Sequence, residues 1–147
     1  MRIKHLLIVG SIFPIFFSIV LFFGVLISAE DDDGGNSFSP PITGMNLSAE
    51  VLKHQLMVEK YAKQNGISEY VNVLLAIIQV ESGGKGNDVM QSSESLGLPP
   101  NSLDTESSIK QGCKHFASLL SSCKNQGIED LNVAIQSYNY GGGYVGY

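Results

Sequence analysis

One run constrains this chain more than any other. Leu74, Leu75, Ala76, Ile77, Ile78, Gln79 and Val80 end in a single carboxylate, Glu81, and the chain then breaks into Ser82, Gly83 and Gly84. With Val71 and Val73 before it, the stretch 69–81 is apolar nearly all round and shows no period-2 alternation, which favours helix over strand. A helix with no polar face belongs at the centre of a helical domain. The run therefore predicts a small, mostly α fold built around it.

Glu81 is the anomaly in that run. A carboxylate is expensive to desolvate, and the C-terminus of a helix carries partial negative charge. Both effects disfavour the anion and raise the pKa, which is what a general acid working near neutral pH requires. A solvent-exposed Glu at a helix end is the alternative, and the rest of the chain has to choose.

Around the central helix the chain punctuates itself. Ser48 can cap a first helix that Asn65 and Gly66 close, so one amphipathic helix is expected over 48–65. After the glycine loop, the polar stretch 88–95 has room for a single helical turn. Leu96-Gly97-Leu98-Pro99-Pro100-Asn101 must leave helical geometry, because proline removes a donor and restrains the residue before it. Asp104 or Thr105 can cap a third helix with Ile109, Cys113, Phe116, Ala117 and Leu120 on one face. A fourth is expected over 128–138, with Leu131, Ala134, Ile135 and Tyr138 on one stripe.

The N-terminal part is of another kind. Residues 6–29 hold no charge, Arg2 and Lys4 precede them, and Glu30, Asp31, Asp32 and Asp33 come after. That is the pattern of a single transmembrane helix, with residues 1–5 a cytoplasmic tail and everything after Ala29 outside the cell. Ile27 makes Ser28-Ala29 a poor cleavage site, so an uncleaved anchor is expected over a signal peptide. Residues 30–46, acidic and then rich in Gly, Ser and Pro, read as a flexible linker. The folded domain is then 47–147, extracytoplasmic and held at the cell membrane.

Charge and cysteine content narrow the partners. Setting aside Arg2 and Lys4 from the 9 basic residues leaves 7 against 14 acidic ones, a net of −7 with no basic cluster. Nucleic acid is not expected to bind such a surface. His5, His54 and His115 are dispersed and no metal-ligand spacing occurs, so neither metal nor cofactor is expected. Cys113 and Cys123 lie ten residues apart on one expected helix, about 15 Å at ~1.5 Å per residue and beyond the roughly 7 Å bridging limit. No disulfide between them is expected unless that helix breaks.

Three motifs in order carry a resemblance: Glu81-Ser82-Gly83-Gly84, then Met90-Gln91-Ser92-Ser93-Glu94-Ser95, then Ala134-Ile135-Gln136-Ser137-Tyr138-Asn139-Tyr140-Gly141. Together with the Leu-Gly-Leu-Pro-Pro-Asn loop and the helix carrying Gly112 and Phe116, they resemble the lysozyme-like domain of bacterial CwlT-type cell-wall hydrolases. That domain is related to goose-type lysozymes and soluble lytic transglycosylases, and the likeness spans about residues 48–147. It implies that Glu81 is the general acid at the β-1,4 bond between N-acetylmuramic acid and N-acetylglucosamine. It implies that Gln91 and Ser92 line the cleft, that Tyr138 reaches the carboxyl or an adjacent sugar, and that Asn139 shapes the cleft.

Each has a plainer reading. Tyr138 can be a core residue, Asn139 a helix C-cap, and Ser82 and Ser92 partners for backbone groups; Met90 reads as packing. A hydrolase uses a second carboxylate, and Asp88, Glu94 and Asp104 are the candidates, with Asp88 preferred for its place in the loop. A transglycosylase needs only Glu81 and leaves 1,6-anhydro ends.

The implied partners are peptidoglycan glycan strands and, by the family's context, conjugation machinery. The chain has no Trp, so stacking on sugars would fall to tyrosines. It also ends seven residues after Tyr140, which makes a C-terminally incomplete domain the expectation and a non-catalytic wall-binding remnant the rival reading. A structural protein that merely packs on partners would leave the three motifs unexplained.

Overall fold

The computed structural model describes residues 46–140. The expected cytoplasmic tail, membrane helix and nearly all of the linker lie outside them, as do the residues after Tyr140. Among the described residues no helix is long and apolar enough to cross a membrane. All regular structure there is helical, in five α-helices and two 3-10 turns.

The first expected helix is two pieces, α1 (Ala49–Leu52) and α2 (Gln55–Gln64). Ser48 caps α1 as expected, its side chain accepting from the Val51 N–H. The break comes from what α1 packs on. Gly84 presses against the Glu50 backbone, where a Cβ would collide with the Glu50 carbonyl. His54 Nε2 donates to the Gly84 carbonyl at 3.0 Å; a carbonyl only accepts, so that nitrogen carries the proton. The His54 N–H meanwhile bonds Val51, three residues back, which tightens the turn between α1 and α2. A loop thirty residues ahead in sequence thus decides where the first helix stops, and periodicity does not carry that information.

The stop after α2 is a local one. Gly66 takes φ +70 and the Ile67 N–H closes on the Ala62 carbonyl at 2.9 Å, a Schellman-type end. A 3-10 turn (Ser68–Tyr70) then leads into α3, Val71–Glu81, the apolar run. Val73 through Ile78 are all at most 2% exposed, so α3 is the buried centre of the domain. Each of its larger apolar side chains contributes about 1.5–3 kcal/mol by leaving water.

The second 3-10 turn (Ser93–Leu96) occupies the polar stretch where a single turn was expected. Helix α4 (Thr105–Asn125) comes after the Pro-Pro excursion, capped by Asp104, whose carboxylate accepts from the Ser107 N–H. Its buried stripe runs through Ser108, Ile109, Gly112, Cys113, Phe116, Leu119 and Cys123, so Leu119 takes the place expected for Leu120. Cys113 and Cys123 sit on this one unbroken helix as free, buried thiols, and burial pushes the Cys113 thiol up to about 12.

Helix α5 (Leu131–Tyr140) starts three residues later than expected. Ile128 is already engaged, its N–H closing the end of α4 on the Cys123 carbonyl. Asp130 instead receives the Asn132 N–H at 2.8 Å. Helix α4 packs on both α2 and α5, and α3 packs on α1 and α2. The glycine loop after α3 packs on α1 through Gly84 and Glu50, and Ser82 joins it to the returning loop at Val89.

Candidate functional site

Glu81 is the last residue of α3, and the glycine loop beyond it fixes its position. Ser82 caps the helix and donates its hydroxyl to the Val89 carbonyl at 2.8 Å, while the Gly84 N–H donates back to Ser82 Oγ at 3.1 Å. Gly83 and Gly84 both take positive φ, +62 and +77. The chain thus turns sharply away and returns as the 88–96 loop. The Glu81 carboxyl is half-buried and its pKa is raised from 4.5 to about 7. Burial is the main cause, and the negative charges of Asp88 and Glu94 add to it. A carboxylic acid poised there holds its proton in neutral water yet can release it.

Asp88 anchors the returning loop. It is 1% exposed, and its two oxygens accept from the Ser92 N–H, the Ser93 N–H, the Ser93 hydroxyl and the Ser108 hydroxyl. Burial raises its pKa, but these donors outweigh burial and the net shift is downward. Asp88 is therefore a buried anion. Its oxygens are turned into the loop and α4, away from solvent, although the sequence made it the preferred second carboxylate.

The other expected site residues fall into two groups. Gln91 is half-buried on the loop with φ +47, and its amide donates to the Asp88 carbonyl at 3.0 Å and to Asn101 Oδ1 at 2.9 Å. Asn101 also has positive φ, +60; these are the two non-glycine residues of that kind among the described ones. Backbone held in such a conformation is a feature of sites where geometry matters more than stability. Ser92 by contrast is buried at 2% exposure, with its hydroxyl donating to the Ser108 carbonyl. That arrangement matches the plainer reading, a side chain satisfying backbone. Met90 is fully buried and packs, as read.

Tyr138 on α5 donates its hydroxyl to the Met90 carbonyl at 2.9 Å, a bond to backbone where one to the carboxyl or a sugar was implied. Its ring lies 5.3 Å from that of His115 and 6.4 Å from that of Phe116. Burial holds the phenol well above its usual pKa, with Glu81, Cys113 and Asp88 adding to the effect, so the hydroxyl stays a donor. Asn139, the next residue, is half-buried on the same helix.

Three participants escaped the sequence reading. Ser108 bridges the loop and α4, donating to Asp88 at 2.6 Å and accepting the Met90 N–H at 3.0 Å. Its signal was present: a serine four residues before Gly112 on the buried stripe of α4. Gly112, noted in the sequence only as part of the resemblance, leaves the space that Met90 and Tyr138 fill; a Cβ there would come within 2.5 Å of Met90 Sδ and 2.9 Å of Tyr138 Oη. Asn101, read only as part of a non-helical loop, latches Gln91. No group of three or more potential metal ligands occurs among the described residues.

Comparison with known proteins shows what the chain is similar to. The family model described as Lysozyme-like matches residues 48–147. The bifunctional muramidase/DL-endopeptidase CwlT of Bacillus subtilis is 37% identical over 138 residues, 90% of this chain and 41% of that protein. The uncharacterized membrane protein YocA of the same organism is 47% identical over 90 residues, 60% of this chain and 40% of YocA. A crystal structure of an NLP/P60-family lipoprotein from Staphylococcus aureus is 62% identical, with a TM-score of 0.69 over 71% of this chain and 35% of that one. The chain thus spans less than half the length of these relatives.

Proposed function

Because this chain belongs to the lysozyme-like family, we propose that it cleaves the glycan strands of peptidoglycan. The bond is the β-1,4 linkage between N-acetylmuramic acid and N-acetylglucosamine, and Glu81 is the general acid. One observation carries the reading: a carboxyl at the end of the buried helix α3, raised to about 7 by burial and by two neighbouring negative charges. With a pKa near neutral pH, it can give its proton to the glycosidic oxygen as the bond to the muramic acid C1 breaks. The similarity to a muramidase agrees with that chemistry.

The surrounding residues take roles that match their contacts. Gln91, held by Asn101 beside the loop, offers its amide to a sugar. Tyr138 and Met90 tie α5 to the loop and so set the width of the cleft. Asn139 lines it from α5. Ser92 and Asp88 hold the loop from beneath. Residues 6–29, uncharged between a basic and an acidic flank, anchor the domain on the outer face of the cell membrane. The membrane-protein relative agrees with that placement.

Digestion of purified peptidoglycan by the full chain tests the reading. Release of muropeptides by the wild type, and at least about a 100-fold loss in Glu81→Gln, is expected for removal of a general acid. A wild type that binds peptidoglycan without releasing any fragment would leave the non-catalytic reading in its place.

A further inference from the structure

We infer that α1 and the turn after it clamp the bend that follows Glu81, with His54 and Gln79 as the positioning residues that keep the carboxyl in its half-buried place. This rests on the glycosidase reading above and deepens it, because it names what holds the general acid still.

The bend needs holding. Gly83 and Gly84 follow the carboxyl by two and three residues, both at positive φ. Glycine loses more backbone freedom on ordering than any other residue, so such a bend keeps one shape only where its surroundings impose it. On one side the Ser82 hydroxyl ties it to the Val89 carbonyl. On the other side the ties run to residues 48–54. The Ser48 N–H donates to Gln79 Oε1 at 2.9 Å. His54 Nε2 donates to the Gly84 carbonyl at 3.0 Å in a buried setting. Between these two bonds the Glu50 backbone lies so close to Gly84 that no Cβ would fit there.

Helix α1 is too short to stand by itself. It has four residues and buries Val51 alone, so its place is set by what it touches. His54 is 8% exposed, and a buried imidazole N–H needs a partner. That partner is a carbonyl of the glycine bend, thirty residues away, and not one of its own helix. Gln79 stands two residues before Glu81 on α3, so the bond it accepts steadies the helix turn that ends in the carboxyl.

The clamp bears on the chemistry through burial. A general acid must be held within a fraction of an ångström by groups that are themselves locked. A bend free to swing would also let water reach the carboxyl, and burial is the main cause that raises the Glu81 pKa to about 7. Loosening α1 should therefore misplace Glu81 and lower its pKa together, whereas a purely structural contact would change stability alone.

The test compares the full wild-type chain with His54→Phe and Gln79→Met on soluble glycan fragments of peptidoglycan. The Glu81 carboxyl is followed in parallel by carbon NMR titration. His54→Phe keeps a ring and removes the donor; Gln79→Met keeps the length and removes the acceptor. Each should lose about 10-fold or more in kcat with KM within about twofold of wild type. The alkaline limb of kcat/KM and the Glu81 titration should both move about one pH unit lower. Asp88, Glu94 and Tyr138, the ionisable groups that act on Glu81 or are acted on by it, are the same in every variant. His54→Gln, whose amide can donate to the same carbonyl, should recover most of the loss. A Glu81 titration and activity limb that stay at wild-type values in folded His54→Phe and Gln79→Met would overturn the clamp, whatever their stability. Should His54→Phe not fold, Gln79→Met decides. Absence of any cleavage by the wild type would instead overturn the glycosidase reading, and the NMR titration alone would then judge the clamp.

Discussion

The Tyr138 hydroxyl donates a 2.9 Å hydrogen bond to the Met90 carbonyl, 48 positions earlier in the chain. That bond fastens the last described helix to the loop that carries Gln91 and Glu94. Through it, α5 shares in positioning the cleft without Tyr138 having to touch a sugar. Tyr138→Phe keeps the ring contacts and removes only the donor, leaving a buried carbonyl unpaired. A loss of about 1–3 kcal/mol in stability is expected, read by chemical denaturation, together with a lower kcat on peptidoglycan as the loop loosens. Unchanged stability would mean that the bond contributes little.

Gly112 makes the second prediction. Alanine in a helix interior normally gains up to about 1 kcal/mol over glycine. Here the added Cβ would sit 2.5 Å from Met90 Sδ and 2.9 Å from Tyr138 Oη, so both must move. Met90 is fully buried and has little free space to move into. Gly112→Ala should therefore destabilise by about 1–3 kcal/mol, the usual range for overpacking. Thermal unfolding decides the sign, and a stabilised variant would show that the Met90 side chain yields freely.

Asn101 separates positioning from stability. Its φ of +60 suits glycine better than asparagine, so Asn101→Gly relieves strain while releasing the Gln91 amide. Stability should stay within about 0.5 kcal/mol of wild type, while KM for soluble glycan fragments rises several-fold. Asn101→Asp, which keeps an acceptor for the Gln91 amide, should recover most of the loss. An unchanged KM in Asn101→Gly would remove Gln91 from substrate binding.

The architecture was largely legible because its signals are local. An all-round apolar run has only one place to go, and α3 lies there with Val73 through Ile78 buried. Caps such as Ser48 and Asp104 act within three residues of themselves, and both were readable. What escaped depends on distant partners. The split between α1 and α2 is set by Gly84 meeting Glu50 and His54 across some thirty residues. The preference for Asp88 over Glu94 as a second carboxylate rested on position in the loop, which says nothing of the four donors that converge on Asp88, two from the backbone and two from serines. Burial of a carboxylate cannot be told from exposure on spacing alone, because both lie in the same polar stretch.

Asp88 itself gives a pH prediction. Its folded pKa is held below the ordinary value, so it contributes stability above the unfolded pKa near 3.9 and loses that contribution as pH falls through the lower, folded value. Asp88→Asn replaces acceptor oxygens with an amide that faces the same donors. A loss of about 3 kcal/mol is expected for a buried anion removed from its partners, full at neutral pH and shrinking in acid. Urea denaturation at pH 7 and pH 3 would show it, and an equal loss at both would sink the argument.

Glu81 gives the opposite sign. Its folded pKa of about 7 lies above the unfolded 4.5, so the folded state favours the protonated form. Below pH 4.5 both states hold the proton and the site is neutral to stability. Between 4.5 and 7 the unfolded chain ionises first, and above 7 the folded state bears a buried charge beside Asp88 and Glu94. Glu81→Gln should thus stabilise the domain by on the order of 2–3 kcal/mol at pH 8 and by nearly nothing at pH 4. The same ionisation should end activity: kcat/KM on peptidoglycan falls as pH rises through about 7. Glu94→Gln removes one of the neighbouring charges, so its activity should fall away at lower pH than in the wild type. A stabilisation by Glu81→Gln that is equal at pH 4 and pH 8 would place the cause in packing, and the raised carboxyl would then no longer explain the activity limb.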